Sequence, residues 1–111
     1  MTTIKIDFEK DGEIFLEVKG HCEHDICVSI SALVNAFLQY AKDFESKDKC
    51  IFIVNSYEYG EVNALLTFFS ISNKEDFIRG IDAILSGFEL YEANFKDEVK
   101  FIKKPLPRGD I

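Results

Sequence analysis

Between Gly20 and Cys27 the chain reads GHCEHDIC, which gathers both of its histidines and two of its three cysteines just ahead of an apolar, helix-like run. A thiol becomes a useful nucleophile when its thiolate is stabilised, either by free amides and the dipole at a helix N-terminus or by a nearby imidazolium. Cys27 has both within reach. With Asp25 as helix N-cap, Cys27 falls at the second helical position, and His21 lies six residues earlier at the exit of a strand. Brought together, the two have the parts of a thiolate–imidazolium pair, in which His21 holds the thiolate and then protonates a leaving amine. The amides of Cys27 and Val28 are the nearest candidates for an oxyanion hole. The resulting chemistry is acyl transfer, most simply peptide hydrolysis.

Two other readings of the segment stand beside this one. A cysteine on an apolar helix also serves as a small core residue. His21, Cys22, His24 and Cys27 also form a set of soft metal ligands with Asp25 as a spare oxygen donor, but tetrahedral sites draw ligand pairs from separate elements, and adjacent His21 and Cys22 chelate poorly. No metal and no cofactor are therefore expected. Cys22 reads as an exposed loop thiol. Cys50, on the parity of Phe52 and Val54, reads as core, and Ser29 and Ser31 as hydroxyls bonding to helix backbone.

The elements that must position these residues follow from periodicity. Ile4, Ile6 and Phe8 alternate with charged residues, Asp11-Gly12 supplies a tight turn, and Ile14, Leu16 and Val18 resume the alternation, which predicts a hairpin. From Ile26 the period changes to three and four through Ile30, Leu33, Val34, Phe37, Leu38 and Ala41, predicting an amphipathic helix to about Phe44. CIFIVNS and EVNALLTFFSI, joined by the turn-like Tyr57-Glu58-Tyr59-Gly60, form a second strand pair that is apolar on both parities. Both of its faces are expected to be covered, one of them by a second copy of the chain. Ser72-Asn73-Lys74-Glu75 reads as a capping box opening a second helix, with Phe77, Ile81, Ile84, Phe88 and Tyr91 as its apolar stripe and an end near Ala93. EVKFIKK adds a short C-terminal strand. The predicted fold is α/β of the α+β kind: a two-layer sandwich, order ββαββα, with two helices on one face of a mainly antiparallel sheet. Residues 1–104 form one domain and 105–111 a loose tail.

Composition narrows the function. The chain has 111 residues, enough for one core, and eleven Phe make that core dense without disulfides. Three cysteines cannot all pair within one chain, and no signal-peptide pattern follows Met1, so a reducing, cytoplasmic setting is expected. A formal charge of −7 argues against direct nucleic-acid binding, which needs clustered Lys and Arg. No apolar run is long enough to span a membrane. The expected partner is a protein or peptide.

The residues Gly20 and His21, a short loop, Asp25-Ile26-Cys27, and then Ile30, Ser31, Ala32 and Leu33 together resemble the ribosomal-processing cysteine protease family, Prp. That resemblance implies that His21 and Cys27 are the catalytic pair, with Asp25 and Ser31 in support. It also implies a small two-layer fold, a homodimer, and removal of a short N-terminal extension from a ribosomal protein, or from a structural protein in phage relatives. The loop from His21 to Cys27 is shorter than is usual in that family. The alternative function is a noncatalytic homodimeric binding or assembly module that keeps the same fold.

Overall fold

In the computed structural model, which describes residues 1–104, the first hairpin forms from β1 (Thr2–Asp7) and β2 (Glu13–Gly20), with Ile4 opposite Val18 and Ile6 opposite Leu16. Their alternate apolar residues are buried on one face of the sheet, as the period of two requires. Helix α1 (His24–Ser46) follows after a linker of three residues, His21, Cys22 and Glu23. Its buried stripe is Ile26, Ile30, Val34, Phe37, Ala41 and Phe44.

The start of α1 corrects one expectation. Glu23, not Asp25, is the N-cap, and it makes no side-chain capping bond. The Cys27 amide donates to the Glu23 carbonyl at 2.8 Å, which closes the first helical turn there and moves Cys27 to the fourth helical position. Asp25 is inside the first turn, where a carboxylate still favours the positive end of the dipole.

Strands β3 (Cys50–Glu58) and β4 (Glu61–Phe68) form the second hairpin, with a bulge between Val54 and Ser56. β4 then pairs antiparallel with β2. The last strand, β5 (Val99–Lys104), adds to β1 in parallel, giving the sheet order β3-β4-β2-β1-β5. The sheet is therefore mixed. A helical connection returns the chain to the far edge in the same direction as β1, which a hairpin could not do.

That connection is two helices, α2 (Ile71–Gly80) and α3 (Asp82–Asn94), rather than the single one expected. α2 is capped by Ser70, whose hydroxyl accepts from the Asn73 amide at 3.0 Å, two residues ahead of the predicted cap. The axis breaks at Gly80 and Ile81. A Cβ on Gly80 would collide with the ring of Tyr40, so only glycine lets α2 approach α1 this closely.

All three helices pack on the face carrying Ile4, Ile6, Ile14, Leu16 and Leu66, making two layers around one apolar cluster. Phe77 is its aromatic centre, with ring centroids of Phe37, Tyr40, Phe44 and Phe68 at 5.5, 5.1, 5.2 and 5.4 Å. Cys50 is core, as its parity predicts. The opposite face of β3 is open within one chain, where Ile51 and Ile53 stay 47% and 49% exposed. Each outer strand meets one helix carboxylate: Phe52 N donates to Glu45 Oε2 at 3.0 Å, and Phe101 N to Glu92 Oε2 at 2.8 Å. The tail expected from residue 105 onward is outside the described residues.

Candidate active site

The register of β2 against β4 pairs Val18 with Val62 and Lys19 with Glu61, and so carries the β3–β4 turn to the end of β2. The Gly20 amide donates to the Gly60 carbonyl at 2.9 Å. Between this turn and the first turns of α1 lies a groove of about 330 Å³, with Cys27, Ser31 and Asn35 on the helix side and Tyr57, Tyr59 and Gly60 on the other. The Tyr57 hydroxyl donates to Asn35 Oδ1 at 2.6 Å, tying the hairpin to the helix across it.

Cys27 is half-buried, and its sulfur accepts two hydrogen bonds. The Cys22 amide donates at 3.3 Å and the Cys22 thiol at 3.2 Å. Both donors fix the position of the Cys27 sulfur beside the groove. Burial, chiefly, raises the Cys22 thiol above its ordinary range, which keeps it protonated and suited to donate. The Thr2 hydroxyl pulls the other way, although it is buried with no hydrogen bond inside normal limits. Cys22 is thus half-buried and engaged, not the exposed loop thiol expected.

His21 is at the exit of β2, as predicted, but its ring packs on Tyr59 with centroids 4.3 Å apart and covers Gly60. The hydrogen bonds found at the Cys27 sulfur come from Cys22, and none comes from His21. Cys27 lines the groove directly, whereas His21 lies against Tyr59 and Gly60, which line its other side. Gly60 has φ +84, and a Cβ there would come within 2.6 Å of His21 Nε2. Gly60→Ala is therefore expected to expel the His21 ring from Tyr59 while costing about 1–2 kcal/mol of stability in backbone strain. Proton NMR checks this, because His21 ring resonances that keep the wild-type Tyr59 ring-current shift in the variant would refute the contact.

The supporting residues separate. Ser31 is exposed and lines the groove one helical turn beyond Cys27. Asp25 is exposed, and its carbonyl accepts from the Ser29 hydroxyl at 3.2 Å. His24 is exposed at the first helical position. The Cys27 amide is committed to Glu23, so it cannot serve an oxyanion, and the Cys22 amide is the donor that faces the sulfur instead. Tyr59, Gly60 and the Cys22 amide were missed as site components. The glycine in the second hairpin turn was the only sequence sign of them. Among the described residues, no three His, Cys, Asp or Glu side chains are grouped to hold a metal, and no helix is long and apolar enough to cross a membrane.

The chain is a small α+β domain with a cysteine on the first turn of its longest helix and a groove beside it. Its fold is that of the ribosomal processing protease Prp of Staphylococcus aureus. The structure of that protease with a covalently linked product peptide matches at a TM-score of 0.67 and 16% identity, covering 94% of this chain and 100% of that one. Its complex with a substrate peptide matches at 0.65 and 15% identity, over 94% and 100% of the two chains. SMU.848 from Streptococcus mutans matches at 0.62 and 18% identity, over 94% and 99%. No protein-family model matches the sequence, and no curated protein sequence is significantly similar to it.

Proposed function

We propose that this chain is a divergent member of the Prp family, a cysteine endopeptidase that removes a short N-terminal extension from a ribosomal or phage structural protein. The observation that carries this reading is the Cys27 sulfur, which lines a peptide-sized groove and accepts the Cys22 amide and thiol. The fold shared with peptide-bound proteases supports it. In the proposed cycle the Cys27 thiolate attacks the scissile carbonyl carbon, and the Cys22 amide, released from the sulfur as its charge passes to the carbonyl oxygen, turns to the oxyanion. His21 protonates the leaving amine, and then deprotonates the water that hydrolyses the thioester. His21 must first leave Tyr59. Both residues are exposed, and such a ring pair holds about 0.5–1.5 kcal/mol, a cost that peptide contacts in the groove can offset. Ser31 then contacts peptide from the helix side, and Asp25 supports the start of α1, its carboxylate at the positive end of the helix dipole.

The experiment incubates the purified chain with ribosomal and capsid precursor proteins and reads cleavage by mass. His21→Ala is expected to slow cleavage by about 10²–10⁴-fold with little change in thermal stability. Cleavage at the wild-type rate would remove His21 from the mechanism. Free thiols of this kind fit a reducing cytoplasm.

We also propose a homodimer through the open face of β3, where Ile51, Ile53 and Val54 are exposed. Ile53→Lys is expected to convert a dimer to a monomer in sedimentation velocity. A wild-type chain that sediments as a monomer at tens of micromolar would exclude this interface.

A further inference from the structure

The geometry points to Cys22 and Cys27 as a peroxide-responsive thiol pair that closes reversibly into a disulfide and masks the groove sulfur. The thiol chemistry stands on its own, and only its effect on cleavage rests on the proposed protease reading. Three observations carry it. The two sulfurs are 3.2 Å apart, so they need to approach by only about 1.2 Å to bond. Cys22 belongs to the three-residue linker between β2 and α1, where no strand or helix ladder fixes the backbone. Cys27 lines an open groove that a small oxidant can enter, whereas Cys50 is 2% exposed behind α1.

The roles of the two sulfurs follow from their surroundings. Cys27 lines the open groove and Cys22 does not, so Cys27 is the sulfur that meets the oxidant first. Cys22 is the protonated partner. A hydroperoxide oxygen is attacked by the Cys27 thiolate; the S–O bond forms, the O–O bond breaks, and hydroxide or alkoxide leaves. The Cys22 sulfur then attacks the Cys27 sulfenic acid, the S–S bond forms, the S–O bond breaks, and the released hydroxide takes the Cys22 proton as water. Two electrons pass from the thiols to the peroxide. An external dithiol reverses the bond by exchange, returning both thiols. Without Cys22 the sulfenic acid stays exposed to a second equivalent of peroxide and proceeds to the irreversible sulfinic acid.

The test uses the full, reduced chain with hydrogen peroxide, followed by denaturation, alkylation and intact-mass and peptide mapping. The wild-type chain is expected to lose the mass of two hydrogens, yield a Cys22–Cys27 linked peptide, keep Cys50 alkylatable, and regain both thiols with dithiothreitol. Cys22→Ser is expected to gain two oxygens at Cys27 and regain nothing. Wild-type Cys27 reaching the sulfinic acid as fast as in Cys22→Ser would overturn the inference, as would a linkage through Cys50 or three thiols that all resist peroxide. Cleavage assays on the same samples separate the two readings. A disulfide in a chain that never cleaves peptide sinks the protease reading alone, and a cleaving chain that forms no Cys22–Cys27 bond sinks this inference alone.

Discussion

Cys27→Ala is expected to abolish cleavage of any peptide that the wild-type chain processes, by at least about four orders of magnitude, because Cys27 is the one thiol that lines the groove among the described residues. Ser31 lines the same groove, but no described base attends its hydroxyl. The fold should survive, since Cys27 is half-buried outside the central cluster and the replacement removes one sulfur. Mass-detected cleavage and a thermal melt on the same preparation check both halves. Thiol labelling sharpens the result. Desolvation by burial, followed by the charge of Glu45, pushes the Cys50 thiol up to about 11, so near pH 8 it is almost wholly protonated as well as inaccessible. Cys27, which lines the open groove, should alkylate far faster. Equal, slow labelling of the two would sink the nucleophile assignment.

Phe77→Ala should have the largest effect on stability, about 3–5 kcal/mol, because it empties the site on which four other aromatic rings converge. A domain of this size has only about 5–15 kcal/mol in total. The loss would therefore shift the urea midpoint by about a fifth of its value or more. Phe77 is fully buried, and its neighbours come from α1 and β4, so collapse into the void would require two elements to move together. Equilibrium urea unfolding measures the change. A loss below about 1 kcal/mol would show that the core is not organised around this ring.

What the sequence made legible divides along physical lines. The first hairpin and α1 were readable because each carries its own period: Ile4, Ile6, Ile14 and Leu16 at two, Ile26, Ile30, Val34 and Phe37 near 3.6. The split at Gly80 was hidden, because the apolar stripe from Phe77 to Phe88 continues through the break. The close approach that requires glycine at position 80 is to Tyr40, forty residues away, and leaves no mark on the local period. The parallel docking of β5 on β1 was equally invisible, since pairing direction is set by the path of α2 and α3 and not by residues in either strand. At the site, Cys27 and His21 were found from their types and spacing. Their surroundings were not: the stack of His21 on Tyr59 follows from the β2–β4 register, and the Cys22 bonds follow from how three linker residues fold back on the helix.

Glu45 and Glu92, one from the end of α1 and one from α3, each occupy an outward amide on an outermost strand. A sheet whose border strands present free amides is a template for recruiting extended chains, and so for aggregation. Here the border strand β3 has no charged residue from Cys50 to Tyr57, and its protection falls to a bulge and to the Glu45 carboxylate. β5 has the second carboxylate and three lysines. Both borders are thus blunted against joining strand to strand into fibres, a route that the dimer proposed through the flat side of the sheet does not use.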